Sequence, residues 1–179
     1  LGIISRPLIL LKEICLMNKR MKEFLTIKNI VISALIAAIY ATVTIILAPI
    51  SYGPIQVRVS EALTLLPYLW PQAIPGLFIG CLIANFAGGF GIIDVVFGSA
   101  ATLIAAIITS RMPTPYLAAV PPVVVNSLVV GGYLSILAKM PFIYTALYVG
   151  LGEIVACAFL GIPLIIFLEK KYGKEKREL

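Results

Sequence analysis

Apolar residues fall along this chain in six long blocks, separated by short breaks of proline, glycine and charge. The blocks cover residues 27–48, 55–70, 72–87, 92–110, 116–137 and 142–168. Each approaches the roughly 20 apolar residues that carry an α-helix across a bilayer. Pro49 closes the first block, and Pro67 and Pro71 mark the turn after the second. Gly88-Gly89-Phe90-Gly91 ends the third, where glycine permits a tight reversal of the chain. Arg111-Met-Pro-Thr-Pro115 and Lys139-Met-Pro141 follow the fourth and fifth. The pair Pro121-Pro122 lies inside the fifth block and predicts a kink or interruption that frees backbone carbonyls. The pattern predicts an all-α integral membrane protein, with six transmembrane helices forming a single domain over residues 17–179.

Composition agrees with this pattern. Hydrophobic residues make up 61% of the 179 positions and charged residues 12%, where a soluble domain runs nearer half and a quarter. A soluble fold of this size has too little interior for so much apolar surface. The net charge of +6 is concentrated at the ends. Four Lys/Arg fall between Lys19 and Lys28, and five between Lys170 and Arg177. Between residues 29 and 168 there are six charges: Arg58, Glu61, Asp94, Arg111, Lys139 and Glu153. Basic ends beside a membrane set topology rather than bind nucleic acid. An even number of spans puts both termini on one side, and the positive-inside bias makes that side the cytoplasm. Residues 1–16 carry an apolar run too short to span. They are expected to be an upstream extension, with the natural start at Met17 or Met21; the alternative is an amphipathic segment lying at the interface.

With that orientation, Arg58, Glu61, Asn85, Asp94 and Glu153 all belong to the outer half, and Asn126 lies near the midplane. The inner half is nearly free of charge. Such a distribution suits an outward-facing pocket with a closed floor better than a through-pore. An ionisable residue at membrane depth costs about 2.5–3.5 kcal/mol on insertion scales, so each is a candidate for function. Arg58 and Glu61 are three apart and can pair on one helical face, or they can face a ligand. Glu153 has no charged neighbour in its own block, so it is read as a ligand contact, or else as bonded to Tyr144, Tyr148 or Asn126. Asp94 follows a glycine run and suits a helix start, or a ligand. Asn126 follows the proline pair and either satisfies freed carbonyls or binds a ligand. Tyr52, Tyr144 and Tyr148 can stack on a planar ligand or anchor the membrane interface. Two stripes of small residues run along the first block, Ala34-x-x-x-Ala38 and Ser33/Ala37/Ala41, and a third, Gly76/Gly80/Ala84/Gly88, along the third. Small residues at this spacing let helices approach closely in lipid; they serve ordinary packing within the bundle, or one stripe lies inside and another faces a partner.

The chain has no histidine, no paired cysteine motif and no phosphate-binding GxxxxGK[ST] loop. Neither a catalytic role nor a cofactor is expected, and ATP-driven transport requires a separate ATPase.

Two stretches carry a resemblance. Tyr52-Gly-Pro-Ile-Gln-Val-Arg-Val-Ser-Glu-Ala-Leu-Thr-Leu-Leu-Pro67 and Ala73-Ile-Pro-Gly-Leu-Phe-Ile-Gly-Cys-Leu-Ile-Ala-Asn85 resemble the signature of the QueT family, substrate-binding S components of energy-coupling factor (ECF) transporters. The resemblance implies an S-component-like six-helix bundle in a bacterial cell membrane. It implies capture of a queuosine precursor, a 7-deazaguanine, from outside, and delivery with a transmembrane T component and two ATP-binding subunits. It places Ala34 and Ala38 at the T-component contact and brings Arg58 and Glu61 into the family's motif. A 7-deazaguanine presents a guanidine-like edge of N–H donors that Glu153 or Glu61 can accept. Asn85 or Asn126 can read its carbonyl, Asp94 can pair an aminomethyl cation, and an aromatic ring near Tyr52 can cover it. The alternatives are an S component for another small vitamin such as riboflavin or thiamine, and a membrane enzyme or assembly factor that uses Arg58, Glu61, Asp94 and Glu153 catalytically.

Overall fold

The computed structural model describes residues 26–53 and 56–173. The expected extension over residues 1–16 and the starts at Met17 and Met21 lie outside the described residues. Among the described residues, three helices are long and apolar enough to cross a membrane: α1 (Ile27–Ile46), α4 (Pro115–Ala138) and α5 (Phe142–Tyr172). Two shorter apolar helices, α2 (Ala73–Gly88) and α3 (Asp94–Thr109), stand between them. Their outward faces carry large apolar side chains such as Ile39, Ile83, Ile104, Leu128 and Leu151, all exposed. This is a multi-pass membrane protein, solvated by lipid on those faces.

The second apolar block departs from the expected transmembrane α-helix. Residues 56–58 belong to no helix, with Arg58 in extended backbone, and Val59–Tyr68 form a 3-10 helix. At about 2.0 Å per residue it rises roughly 20 Å, short of a bilayer core. Two local features accompany this winding. Pro67 has no N–H to give, and the Glu61 carbonyl receives the Thr64 hydroxyl at 2.6 Å and the Cys157 thiol at 3.5 Å. The segment is enclosed by the bundle, with Ser60, Glu61, Ala62, Thr64, Leu65 and Leu66 buried. Its approach to α5 is very close at one point: a Cβ on Gly152 would lie 2.2 Å from the Gln56 carbonyl oxygen.

The two small-residue stripes of α1 differ in burial. Ala37 and Ala41 are buried, and a Cβ on Gly76 of α2 would meet the Ser33 carbonyl oxygen at 2.3 Å. Ala34 and Ala38 face outward, exposed. Gly89 and Gly91 take positive φ and end α2 as the glycine run predicts. The proline pair interrupts α4 at Ala119. Pro122 leaves the Ala118 carbonyl without its helical donor. Thr109 of α3 supplies one instead, its hydroxyl donating to Ala118 O at 3.1 Å. Asn126 does not perform this task.

Two helices contain a π turn, Asp94–Gly98 at the start of α3 and Val155–Gly161 within α5. Such single turns often mark functional places in helices, and here each adjoins a buried acid. A large apolar cluster containing Leu65, Leu69, Leu77 and Ile165 fills the bundle toward the end bearing Trp70, and a small one of Val130, Tyr133 and Val149 lies between α4 and α5.

Candidate functional site: a closed polar chamber

Between those clusters every element contributes a polar side chain. The extended segment sends Gln56 and Arg58 to the same side, because alternate residues of a strand share a face. The 3-10 helix brings Glu61, α2 brings Asn85, α3 brings Asp94 and Thr102, α4 brings Asn126 and α5 brings Glu153. All are buried; Arg58 is 4% exposed, Glu61 1%, Asp94 1% and Glu153 5%. Gln56, Arg58, Glu61, Thr102, Asn126 and Glu153 line one small cavity, together with Gly98, Val130 and Val149. Its volume of about 10 Å³ is room for about one water.

The Arg58–Glu61 ion pair, one of the two readings of their spacing, is not formed, and each has other partners. The winding of the chain explains why: Arg58 precedes the 3-10 helix in extended backbone, so the three-residue helical spacing does not apply. Arg58 Nη1 donates to Asn85 Oδ1 at 2.8 Å, and Nη2 lies 3.7 Å from Asp94 Oδ1. Its guanidinium carbon stands 5.6 Å from the centre of the Tyr52 ring, within cation–π range. Asn85 in turn donates from Nδ2 to the Asp94 carbonyl at 3.1 Å and to Ser99 Oγ at 3.4 Å. Tyr133 of α4 donates its hydroxyl to Asp94 Oδ1. Asp94 thus stands at the start of α3, where the glycine run led it to be expected, and is at the same time a buried partner of Arg58.

The two glutamates form a second group. Tyr40 of α1 donates its hydroxyl to Glu61 Oε1. Asn126 Nδ2 donates to Glu153 Oε1 at 2.8 Å, and the Cys157 thiol donates to Oε2 at 3.6 Å. Among the expected neighbours of Glu153 it is thus Asn126 that bonds it, not Tyr144 or Tyr148. Several buried atoms make no hydrogen bond within the protein: Arg58 Nε and Nη2, Glu61 Oε2, Asp94 Oδ2 and Asn126 Oδ1. Buried polar atoms are nearly always bonded, so this set of free donors and acceptors is the strongest mark of a binding site in the molecule.

A larger cavity of about 640 Å³ adjoins the chamber, lined by Tyr52, Gly53, Phe90, Met140, Thr145 and Tyr148 among others. Gln56 and Val149 line both cavities and form the partition. Tyr52 is fixed at the rim. Its hydroxyl donates to Ala84 O at 2.6 Å, and its ring lies 6.0 Å from that of Phe90. Tyr148 is half exposed on the opposite wall, and Tyr144 is exposed and not among the lining residues. Ala34 and Ala38 lie on the outer face of α1, away from the chamber.

The family model described as QueT transporter matches residues 30–170. This chain belongs to the QueT transporter family. The Queuosine precursor transporter QueT of Lactococcus lactis subsp. cremoris (strain MG1363) is 42% identical over 78 residues, 42% of this chain and 46% of that protein. The match thus spans about half the length of the curated relative. No solved structure matches. Within this QueT chain, the sequence located Arg58, Glu61, Asn85, Asp94, Asn126 and Glu153, all of which the fold brings together. It missed Tyr40, Tyr133, Gln56 and Thr102. Their signal was available: Tyr40 and Tyr133 sit inside apolar blocks rather than at interfacial ends, and Gln56 is two residues from Arg58.

Proposed function

We propose that this protein is the substrate-capture subunit of an ECF-type importer and binds a queuosine precursor, a 7-deazaguanine base, in the polar chamber. The observation that carries the proposal is the set of buried donors and acceptors left free around the chamber. Arg58 offers N–H groups suited to a ring carbonyl. Glu61 and Asn126 offer acceptors suited to a guanidine-like edge. The name of the Lactococcus lactis relative supports the substrate class. Ligand pockets run to about 300–1,000 Å³, so binding requires the chamber to open into the neighbouring cavity by separating Gln56 from Val149. With the Tyr52 end outward, that cavity is the entrance, and the apolar cluster near Trp70 is the closed floor.

Nothing in the sequence binds ATP, so energy comes from partners. The stripe Ala34/Ala38 on the exposed face of α1 is the proposed contact with the T component, with two ATP-binding subunits attached to it. Both termini are proposed to be cytoplasmic. The test is calorimetric binding of 7-deazaguanines, riboflavin and thiamine to the purified protein, with Glu153→Ala and Glu61→Ala alongside. The expected result is binding of a 7-deazaguanine alone, weakened in both variants. Binding of riboflavin or thiamine in preference, or variants that bind as the parent does, would overturn the assignment.

A further inference from the structure

We propose that Tyr133 is a positioning residue for ligand binding: by holding the carboxylate of Asp94 it keeps the Arg58–Asp94 pair open, so that two N–H donors of Arg58 stay available to the chamber. This rests on the reading of the chamber as a 7-deazaguanine site and adds to it how the arginine is kept in a binding-competent state.

Arg58 and Asp94 form an incomplete pair. An arginine and a carboxylate buried together commonly close into two parallel hydrogen bonds. These two are 4% and 1% exposed, yet Arg58 Nη2 stands 3.7 Å from Asp94 Oδ1, beyond hydrogen-bond length. Arg58 Nε and Nη2 and Asp94 Oδ2 make no hydrogen bond within the protein. Two donor nitrogens and an acceptor thus stand unbonded within one ion pair, in surroundings where such atoms are nearly always bonded. Something holds the two groups apart.

Each group is held by a neighbour on a different helix. Asn85 of α2 accepts from Arg58 Nη1 at 2.8 Å and fixes the guanidinium on that side. Tyr133 of α4 donates its hydroxyl to Asp94 Oδ1, the same oxygen that faces Arg58 Nη2. Asn85 also bonds Asp94, but at the main-chain carbonyl, which leaves the carboxylate free to turn. The start of α3 permits this meeting. Gly98 ends the π turn that Asp94 begins, and a Cβ there would lie 2.7 Å from Asn85 Nδ2 and 3.0 Å from Asp94 Oδ1. The Tyr133 ring packs with Val130 and Val149, and it also lines an apolar cavity of about 380 Å³ with Ile93, Phe97 and Ile136. Tyr133→Phe keeps these apolar contacts and removes the hydroxyl alone. Without that hydroxyl the carboxylate turns onto Arg58 and engages Nη2 and Nε, the donors that a ring carbonyl would use. The empty protein then gains a closed ion pair, and the ligand loses its donors.

The purified full-length protein and its Tyr133→Phe variant are compared in two readouts: calorimetric affinity for 7-aminomethyl-7-deazaguanine, and unfolding temperature in detergent without ligand. Tyr133→Phe is expected to bind about tenfold more weakly, as for the loss of one hydrogen bond to a charged group. The empty variant is expected to unfold at the parent's temperature or above it. A tyrosine with a merely structural role would lower affinity and unfolding temperature together, so that result overturns the proposal, as does an unchanged affinity. Asp94→Asn added to Tyr133→Phe removes the charge that closes on Arg58, and the double variant is expected to recover most of the lost affinity. A folded double variant that binds no better than Tyr133→Phe overturns the assignment of Asp94 as the group held back. Failure of the parent to bind the probe overturns the 7-deazaguanine reading and this inference with it, whereas the other contrary results leave that reading standing.

Discussion

The guanidinium of Arg58 is held almost out of contact with solvent by side chains from three other elements. Asn85 is the hinge of this arrangement, accepting from Arg58 Nη1 and donating to the Asp94 carbonyl and Ser99. Replacing it by alanine leaves a buried charge without its direct acceptor, and hydrogen bonds to charged groups contribute about 1.5–3 kcal/mol. Asn85→Ala is therefore expected to lower stability to denaturation in detergent by about 2 kcal/mol, measured by chemical unfolding. A change below about 0.5 kcal/mol, the usual range of an unimportant surface substitution, would contradict this role. At this scale the sequence disclosed residues better than partnerships. Arg58, Glu61, Asp94 and Glu153 stood out because charge is rare in apolar blocks. Their pairing did not, because it depends on which elements pack together: Arg58 meets Asp94 across 36 positions of chain. Tyr40 and Tyr133 escaped notice because tyrosine in a membrane protein is ordinarily an interfacial anchor, whereas both here donate to buried carboxylates.

Among the elements, five of the six apolar blocks fold as helices near their expected limits, and the second does not. Its block of apolar residues carries no period that separates i→i+3 from i→i+4 winding, so its 3-10 form is visible only in the structure. The consequence for the site is direct, since the extended residues before it aim Gln56 and Arg58 into the bundle. The π turns of α3 and α5 were equally illegible, because one extra residue in a turn leaves no mark in an apolar run. The proline pair, by contrast, predicted its interruption correctly, and only the identity of the compensating donor required the structure. Thr109→Val removes that donor and strands the Ala118 carbonyl. The expected cost is about 1 kcal/mol, in the range measured for hydrogen bonds between membrane helices. Pro122→Ala restores the helical N–H at the same carbonyl, so the double variant is expected to recover stability relative to Thr109→Val alone. Additive losses in the unfolding free energies of the double-mutant cycle would show that Thr109 does not replace the missing helical bond.

Over the whole molecule, polar and apolar regions separate along the bundle in a way that fits capture rather than conduction. The chamber and its 640 Å³ neighbour lie toward the Tyr52 end, and the Trp70 end is packed with apolar side chains and tied by Tyr68 to Glu169 at 3.2 Å. The sequence anticipated this division from charge alone, since nearly every ionisable residue of the apolar blocks was assigned to one half. It did not anticipate that the polar part is two compartments meeting at Gln56 and Val149, a feature created by Gly152 letting the extended segment lie directly on α5. The chamber is proposed to bind a 7-deazaguanine. The most direct measurement is mass spectrometry of the small molecules released on denaturing the purified protein. A 7-deazaguanine in near-stoichiometric amount is expected, and its loss when the protein carries Glu153→Ala. A flavin, thiamine or other unrelated vitamin in that amount would contradict it.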